Sequence, residues 1–410
     1  MPSRTLSASD RRPLPRWLTV LLVIGGLALL VARRHQEALT GWLWAEDGAE
    51  FLRDALLPGA DILTPYNGQL WVVQRLAFAL IDAAPLAWAP LLILVISLVL
   101  ITGSVAVVLQ SRLTELFRGR GLQALAFVLL LATPGAWEST GLLLTVHWWF
   151  PVGASLLLMA PAPRSRAWLV VELAWLVVIG LTGLTSWIVL PVAIAAVIVR
   201  QEGITIVRLV VILATAVVQG ITLVNSPRAL AEVAAPLDFA RIALQRVGSV
   251  AIAGERGLAD VTTRPVLIAV LAAGAAFLLA VLLVALMGRR WPGIALVTSA
   301  VIATVLGILG ADEPSALLQA PYGGRYFLPA LTFAILILVL GIRGRPRWTR
   351  IVAVVALVGM SFAFVVDFLL PPVTPLLDAQ EWQTFTACVE SGESGCSIDI
   401  APAGWKVTLP

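Results

Sequence analysis

LAWAPLLILVISLVLITGSVAVVL, Leu86–Leu109, carries no Asp, Glu, Lys or Arg along its whole length. As a helix rising 1.5 Å per residue it is long enough to cross the hydrocarbon core of a bilayer, which takes about 20 residues. Ten more runs are mainly apolar: Trp17–Ala32, Leu122–Thr133, Trp148–Ala160, Ala167–Thr182, Trp187–Val199, Val207–Val224, Val266–Leu286, Ile294–Leu309, Phe327–Ile342 and Ile351–Leu370; several are short, and Leu122–Thr133, Trp148–Ala160 and Trp187–Val199 also read as tilted pairs or re-entrant segments. Over 410 residues, 60% are hydrophobic and 13% charged, with a mean hydropathy of +0.95. Such a balance excludes an ordinary soluble domain. The expected fold class is therefore an all-α polytopic membrane protein with about eleven transmembrane helices.

The arginines orient these runs. With the N-terminus in the cytoplasm, 17 of the 28 basic residues fall in the N-terminal leader and five short inner loops. Nearly all of the 24 acidic residues then lie outside. Excess Lys and Arg in short cytoplasmic loops is the rule for helical membrane proteins. Arg33 and Arg34, directly after the first run, are the one discordant pair. The organisation expected is a cytoplasmic leader 1–16, a transmembrane domain 17–370 with outer loops at 33–85 and 225–265, and a small extracytoplasmic tail 371–410. VARRHQ offers no small-x-small cleavage site, so the first run reads as an anchor in the plasma (inner) membrane. No basic patch with interleaved aromatics suggests nucleic acid. The chain shows no internal repeat, P-loop, Rossmann glycine pattern, HExxH or GxSxG.

Charge concentrates in WLWAEDGAEFLRDALLPGADILTPYNGQLWVVQR, Trp42–Arg75. If Glu46–Leu57 is helical, Glu46, Glu50 and Asp54 share one edge at spacings of four, while Phe51, Leu52, Ala55 and Leu56 form an apolar side. That pattern predicts an amphipathic helix on the membrane surface with its carboxylate edge exposed. Asp47 is the leading candidate for chemistry, against a plain solvated carboxylate at a helix start. Pro65, Asn67 and Gly68 form a turn, and a second surface helix is expected to end near Asp82. Its face carries Gln69, Gln74 and Arg75, and Tyr66 and Trp71 suit an interfacial aromatic belt.

Two further loops hold candidates. TPGAWESTGLLLTVHWWFP, Thr133–Pro151, has Glu138 and His147 as its only ionisable side chains, the histidine being either an interface residue or a ligand. GADEPSALLQAPYGGRYFLP, Gly310–Pro329, sets Gly323 and Gly324 directly before Arg325. An arginine there can pair with a lipid phosphate or simply snorkel from a helix end. Glu172, inside an apolar run, needs a polar partner or a helix-packing contact. In the loop 225–265, PLDFARIALQRVGSVAIAG places Leu237, Ile242, Leu244 and Val247 at helical spacing around Arg241 and Arg246, another interfacial helix. Cys388 and Cys396 enclose a short flexible loop and would bridge in an oxidising compartment.

EDGAEF followed by PYNGQLWVVQRL, the glutamate and histidine of the second outer loop, and PYGGRYFLP before a late run together resemble membrane glycosyltransferases of the GT-C superfamily. APAGWKVTLP in the tail is similar to segments of bacterial members. The resemblance implies transfer of a sugar from a polyprenyl-phosphate donor to a glycan, lipid or protein hydroxyl on the extracytoplasmic face, with inversion at the anomeric carbon. It implies that Asp47 is the catalytic carboxylate, that Glu46 and Glu138 position the acceptor, and that Arg325 binds the donor phosphate with Arg75 and Tyr326 in support. Oxygen ligands from Asp47 and Glu138 with His147 would suit Mg or Mn, the one cofactor expected. Two other classes fit the composition: a transporter or flippase for lipid-linked sugars, and a non-catalytic membrane assembly subunit. Transporters commonly show repeated halves, which this chain lacks.

Overall fold

A computed structural model describes residues 14–34, 43–57, 61–226, 235–288, 290–311, 313–319, 323–369 and 378–409. Most of the leader, Trp42 and the Pro321–Tyr322 pair lie outside these. The described chain is helical apart from one small hairpin. Each of the eleven apolar runs forms a helix. Seven are long and apolar enough to cross a membrane: Arg16–Arg33, Leu86–Leu109, Gly203–Val224, Arg264–Met287, Trp291–Leu309, Gly324–Gly341 and Arg347–Phe368. The other four, Arg120–Leu131, Phe150–Met159, Arg166–Gly180 and Thr185–Arg200, have 12, 10, 15 and 16 residues.

Leu328–Gly341 is the centre of the bundle, with all 14 of its residues buried. Arg120–Leu131, Arg264–Met287, Arg290–Leu309 and Arg347–Gly359 pack around it. Lipid offers apolar side chains the same environment as a neighbouring helix does, so helix association relies on close backbone approach at small residues. A Cβ on Gly153 would come within 2.7 Å of the Ser104 carbonyl, and one on Gly248 within 2.7 Å of the Gly274 carbonyl. Outer helices keep apolar faces exposed, as at Val170, Ile198 and Val217.

Polar contacts gather at the two ends of the bundle. At one end Glu172 meets both Arg112 and Arg208, and Arg118 exchanges contacts with the backbone of Arg343. Glu172 is thus a packing residue tied by two guanidiniums. At the other end the loops 43–82, 132–149, 181–184 and 235–263, the segment 323–327 and the tail bond to one another. Leu70 is held by Gln219 and Gly183, and Val73 N–H donates to Thr182 Oγ1 at 3.2 Å.

The tail is a folded cap. Asp378 accepts from the N–H groups of Gln380 and Glu381 to start the helix Ala379–Ser391, and Gly392, at φ 73°, ends it. Cys388 and Cys396 are disulfide-bonded. Strands β1 (Ser397–Ile400) and β2 (Trp405–Thr408) pair antiparallel, and Ile400 and Val407 sit on Gly48.

Candidate functional site

The first loop departs from a regular surface helix. Asp47–Leu52 is π-helical and only Arg53–Leu56 is α-helical. A π-turn inserts an extra residue and turns side chains off the 3.6-residue register, a geometry frequent at functional sites. Its apolar side faces protein, not a membrane surface. Phe51 packs on Tyr66, Trp71 and Phe78, and the tail hairpin covers Gly48. Tyr66 and Trp71 join this aromatic cluster on either side of the turn at Asn67–Gly68. The expected second helix is Val72–Asp82, with Gln74 and Arg75 buried.

Asp47 is fully buried. Its two carboxylate oxygens accept from the N–H groups of Leu143, at 3.1 Å, and Leu144, at 2.6 Å. Gln74 Nε2 donates to the carbonyls of the same two residues at 3.3 and 2.9 Å. His147 Nδ1 donates to Leu144 O at 2.8 Å, its ring wedged between Trp71 and Trp148. The carboxylate expected to face an acceptor therefore holds the second loop in place. Burial pushes Asp47 up to about 8, against the pull of the Leu144 N–H.

The second loop delivers Glu138 to Arg325. Glu138 is buried and accepts from the N–H groups of Gly323 and Arg325, each at 3.2 Å. Its carboxylate lies 3.8 Å from the Arg325 guanidinium. Arg325 is 22% exposed. It donates to Tyr326 Oη at 3.3 Å and lies over the Tyr326 ring, which stands edge-on to Trp148. Glu46, half-buried beside Asp47, adds its negative charge to the field at Arg325. Glu46, Asp47, Glu138, His147, Arg325 and Tyr326 thus belong to one connected loop cluster.

Arg75 stands apart. It pairs with Asp54 at 2.9 Å and stacks on Phe51. It lines a separate cavity of about 190 Å³ with Asp61 and Asp82. Glu50 and Asp54, read as a solvated edge, are ion-paired with Arg53.

Comparison with known proteins gives no match among family models, curated proteins or solved structures.

Three buried charges behind the cluster were not legible as site residues. Glu255 accepts from Trp137 Nε1 at 2.7 Å and from Arg246 at 3.0 Å. Burial pushes it up to about 8. Arg246, placed by its periodicity on a surface helix, is buried in a second π-helical stretch, Leu244–Ser249. Asp367 accepts from the N–H groups of Gly135, Glu255 and Arg256. The signal that could have found Asp367 is an acid inside the apolar run SFAFVVDFLL. A Cβ on Gly324 would fall 2.1 Å from Glu255 Oε1, so the glycine lets the Arg325 turn lie against this carboxylate.

The residues suggested for a divalent cation already carry protein hydrogen bonds. Both Asp47 oxygens and both Glu138 oxygens are taken by backbone N–H groups, and His147 Nδ1 is held by Leu144. Among the described residues no three His, Cys, Asp or Glu side chains converge as a hard cation would require.

Proposed function

We propose that this chain is a membrane glycosyltransferase of the GT-C type that moves a sugar from a polyprenyl-phosphate donor to a hydroxyl acceptor on the extracytoplasmic face. The observation that carries the reading is Arg325: a guanidinium fixed by Glu138 and Tyr326 yet still partly open, with Glu46 in its field. The acceptor oxygen bonds to the anomeric carbon as the bond from that carbon to the phosphate oxygen breaks. Arg325 offsets the charge left on the polyprenyl phosphate, an effect that grows where water is scarce. Glu46, the half-buried carboxylate, takes the hydroxyl proton. Asp47 acts as a positioning residue by holding Leu143 and Leu144. Displacement from the face opposite the phosphate inverts the anomeric centre.

The test is purified protein with a polyprenyl-phosphate sugar and a panel of acceptors. The parent forms a new glycosidic bond; Glu46→Gln loses product while keeping donor binding, and Arg325→Gln weakens donor binding. Transbilayer movement of the donor without a new bond would instead favour the flippase reading.

A further inference from the structure

The opposite end of the bundle holds a second polar site that sugar transfer does not use. A cavity of about 590 Å³ is lined by Arg112, Arg118 and Arg200 with one carboxylate, Glu115, among its lining residues. That volume falls in the range of roughly 300–1,000 Å³ usual for small-molecule sites. Its three guanidiniums are neutralised to different degrees. Arg112 is bonded to Gln110, to the Pro161 carbonyl and to Glu172, a carboxylate it shares with Arg208. Arg118 donates to the Arg343 carbonyl, and burial together with the like charges of Arg345, Arg350 and Arg343 disfavours its guanidinium. Arg200 donates to the Met159 carbonyl and feels the charge of Glu202, while its Nη1 is buried without a hydrogen-bond partner among the described residues.

A buried N–H without an acceptor is costly, and so is a cluster of like charges; an anion with several acceptor oxygens relieves both. The helices that end at the cavity carry apolar surface just before it. Ile198 and Val199 precede Arg200, and Leu286 and Met287 precede the lining residue Gly288; all four are exposed apolar side chains on helices. Basic pockets between helices at a membrane boundary suit phosphate headgroups whose acyl chains stay in the bilayer.

We propose that this cavity binds a phosphate group, presented by an anionic phospholipid whose acyl chains run along the Ile198–Val199 and Leu286–Met287 surfaces. The site is independent of the sugar-transfer reading.

The experiment uses the full-length protein in detergent and measures binding of dioleoylphosphatidylglycerol, of dioleoylphosphatidylcholine, and of inorganic phosphate as competitor. Phosphatidylglycerol binds in preference to phosphatidylcholine. Arg118→Gln combined with Arg200→Gln weakens it roughly tenfold or more, the loss of charge-assisted hydrogen bonds. Arg164→Gln with Arg166→Gln, exposed and outside the cavity lining, stays within about twofold because exposed charges act weakly. Competition by inorganic phosphate identifies the phosphate alone as sufficient; binding of the lipid without such competition shows that the acyl chains are needed too. Equal binding of the two lipids overturns the proposal, as does an undiminished affinity in the folded double variant or an equal loss in the Arg164/Arg166 control. Should the double variant not fold, the single change Arg118→Gln, at a half-exposed position, gives the same comparison.

Discussion

Asp47 and Gln74 hold opposite sides of the same two peptide groups: Asp47 accepts from the N–H groups of Leu143 and Leu144, and Gln74 donates to their carbonyls. The segment so gripped leads directly to His147 and Trp148, and Trp148 touches Tyr326. A carboxylate from the first loop and an amide from the next helix therefore set where the second loop stands.

Removing either grip strands buried backbone groups. Asp47→Ala and Gln74→Leu are each expected to lower stability by about 1–3 kcal/mol, the penalty for an unsatisfied buried group. Because both act on one segment, the double variant should lose less than the sum. Thermal unfolding in detergent measures this. Strict additivity, or a neutral Gln74→Leu, would show that the grip is not shared.

Glu172 makes the same kind of statement at the other end of the bundle. It is buried between Arg112 and Arg208, and Arg208 is 1% exposed. Glu172→Leu leaves two guanidiniums without their carboxylate, and breaking a buried pair in this way costs about 3–5 kcal/mol. Replacing Glu172 and Arg208 together by Leu and Met should recover part of the loss. A melting temperature in Glu172→Leu equal to the parent's would count against the clamp.

The extent to which the sequence foretold this arrangement follows from the range of each interaction. Apolar runs are local patterns, so helices appear where the runs lie; their crossing of the bundle depends on how much chain each loop takes up. The cysteine pair, eight residues apart, was legible for the same reason. Arg33 was not. It contradicts the charge rule because it is buried, donating to carbonyls of Leu131, Thr133 and Asp367, the last 334 residues away. Arg246 read as part of a surface helix and Glu255 carried no signal of its own; in the fold the turn at Gly323–Gly324 lies against Glu255, which accepts from Arg246. Arg325, Glu138 and the glycines could be singled out locally, as lone charges and tight-turn residues beside apolar runs. Asp47 was found, but its burial depends on Leu143 and Leu144, which no spacing rule connects to it.

The tail should matter to the site through Gly48. A Cβ there would stand 2.7 Å from Ile400 Cδ1 and 2.9 Å from Val407 Cγ2, under a hairpin joined to the loop at Trp44 and Ala401. Gly48→Val would overpack this contact at about 1–3 kcal/mol and lift the hairpin off the residue next to Asp47. The expected result is faster proteolysis of the tail, restored by adding Ile400→Ala. If the tail of Gly48→Val is cut no faster than the parent's, the hairpin is not held there.

Asp47 and Glu255 give the protein a pH dependence of stability with a definite sign. Burial raises Asp47 from its ordinary 3.8, and Glu255 from 4.5, each to about 8. Between those limits the folded chain keeps protons that the unfolded chain has released, so it is the folded state that binds more. Stability then falls as pH rises through that window and levels off above about 8, with at most about 1.4 kcal/mol lost per pH unit for each group. The interval to measure is pH 5 to 8. The melting temperature in detergent should drop across it. Glu255→Gln keeps an acceptor for Trp137 Nε1 and carries no titrating proton, so its profile should be visibly flatter, and adding Asp47→Asn should flatten it further. A parent profile that rises with pH, or variants that follow the parent slope, would mean that these carboxyls are ionised in the folded chain and that the loops hold them by charge.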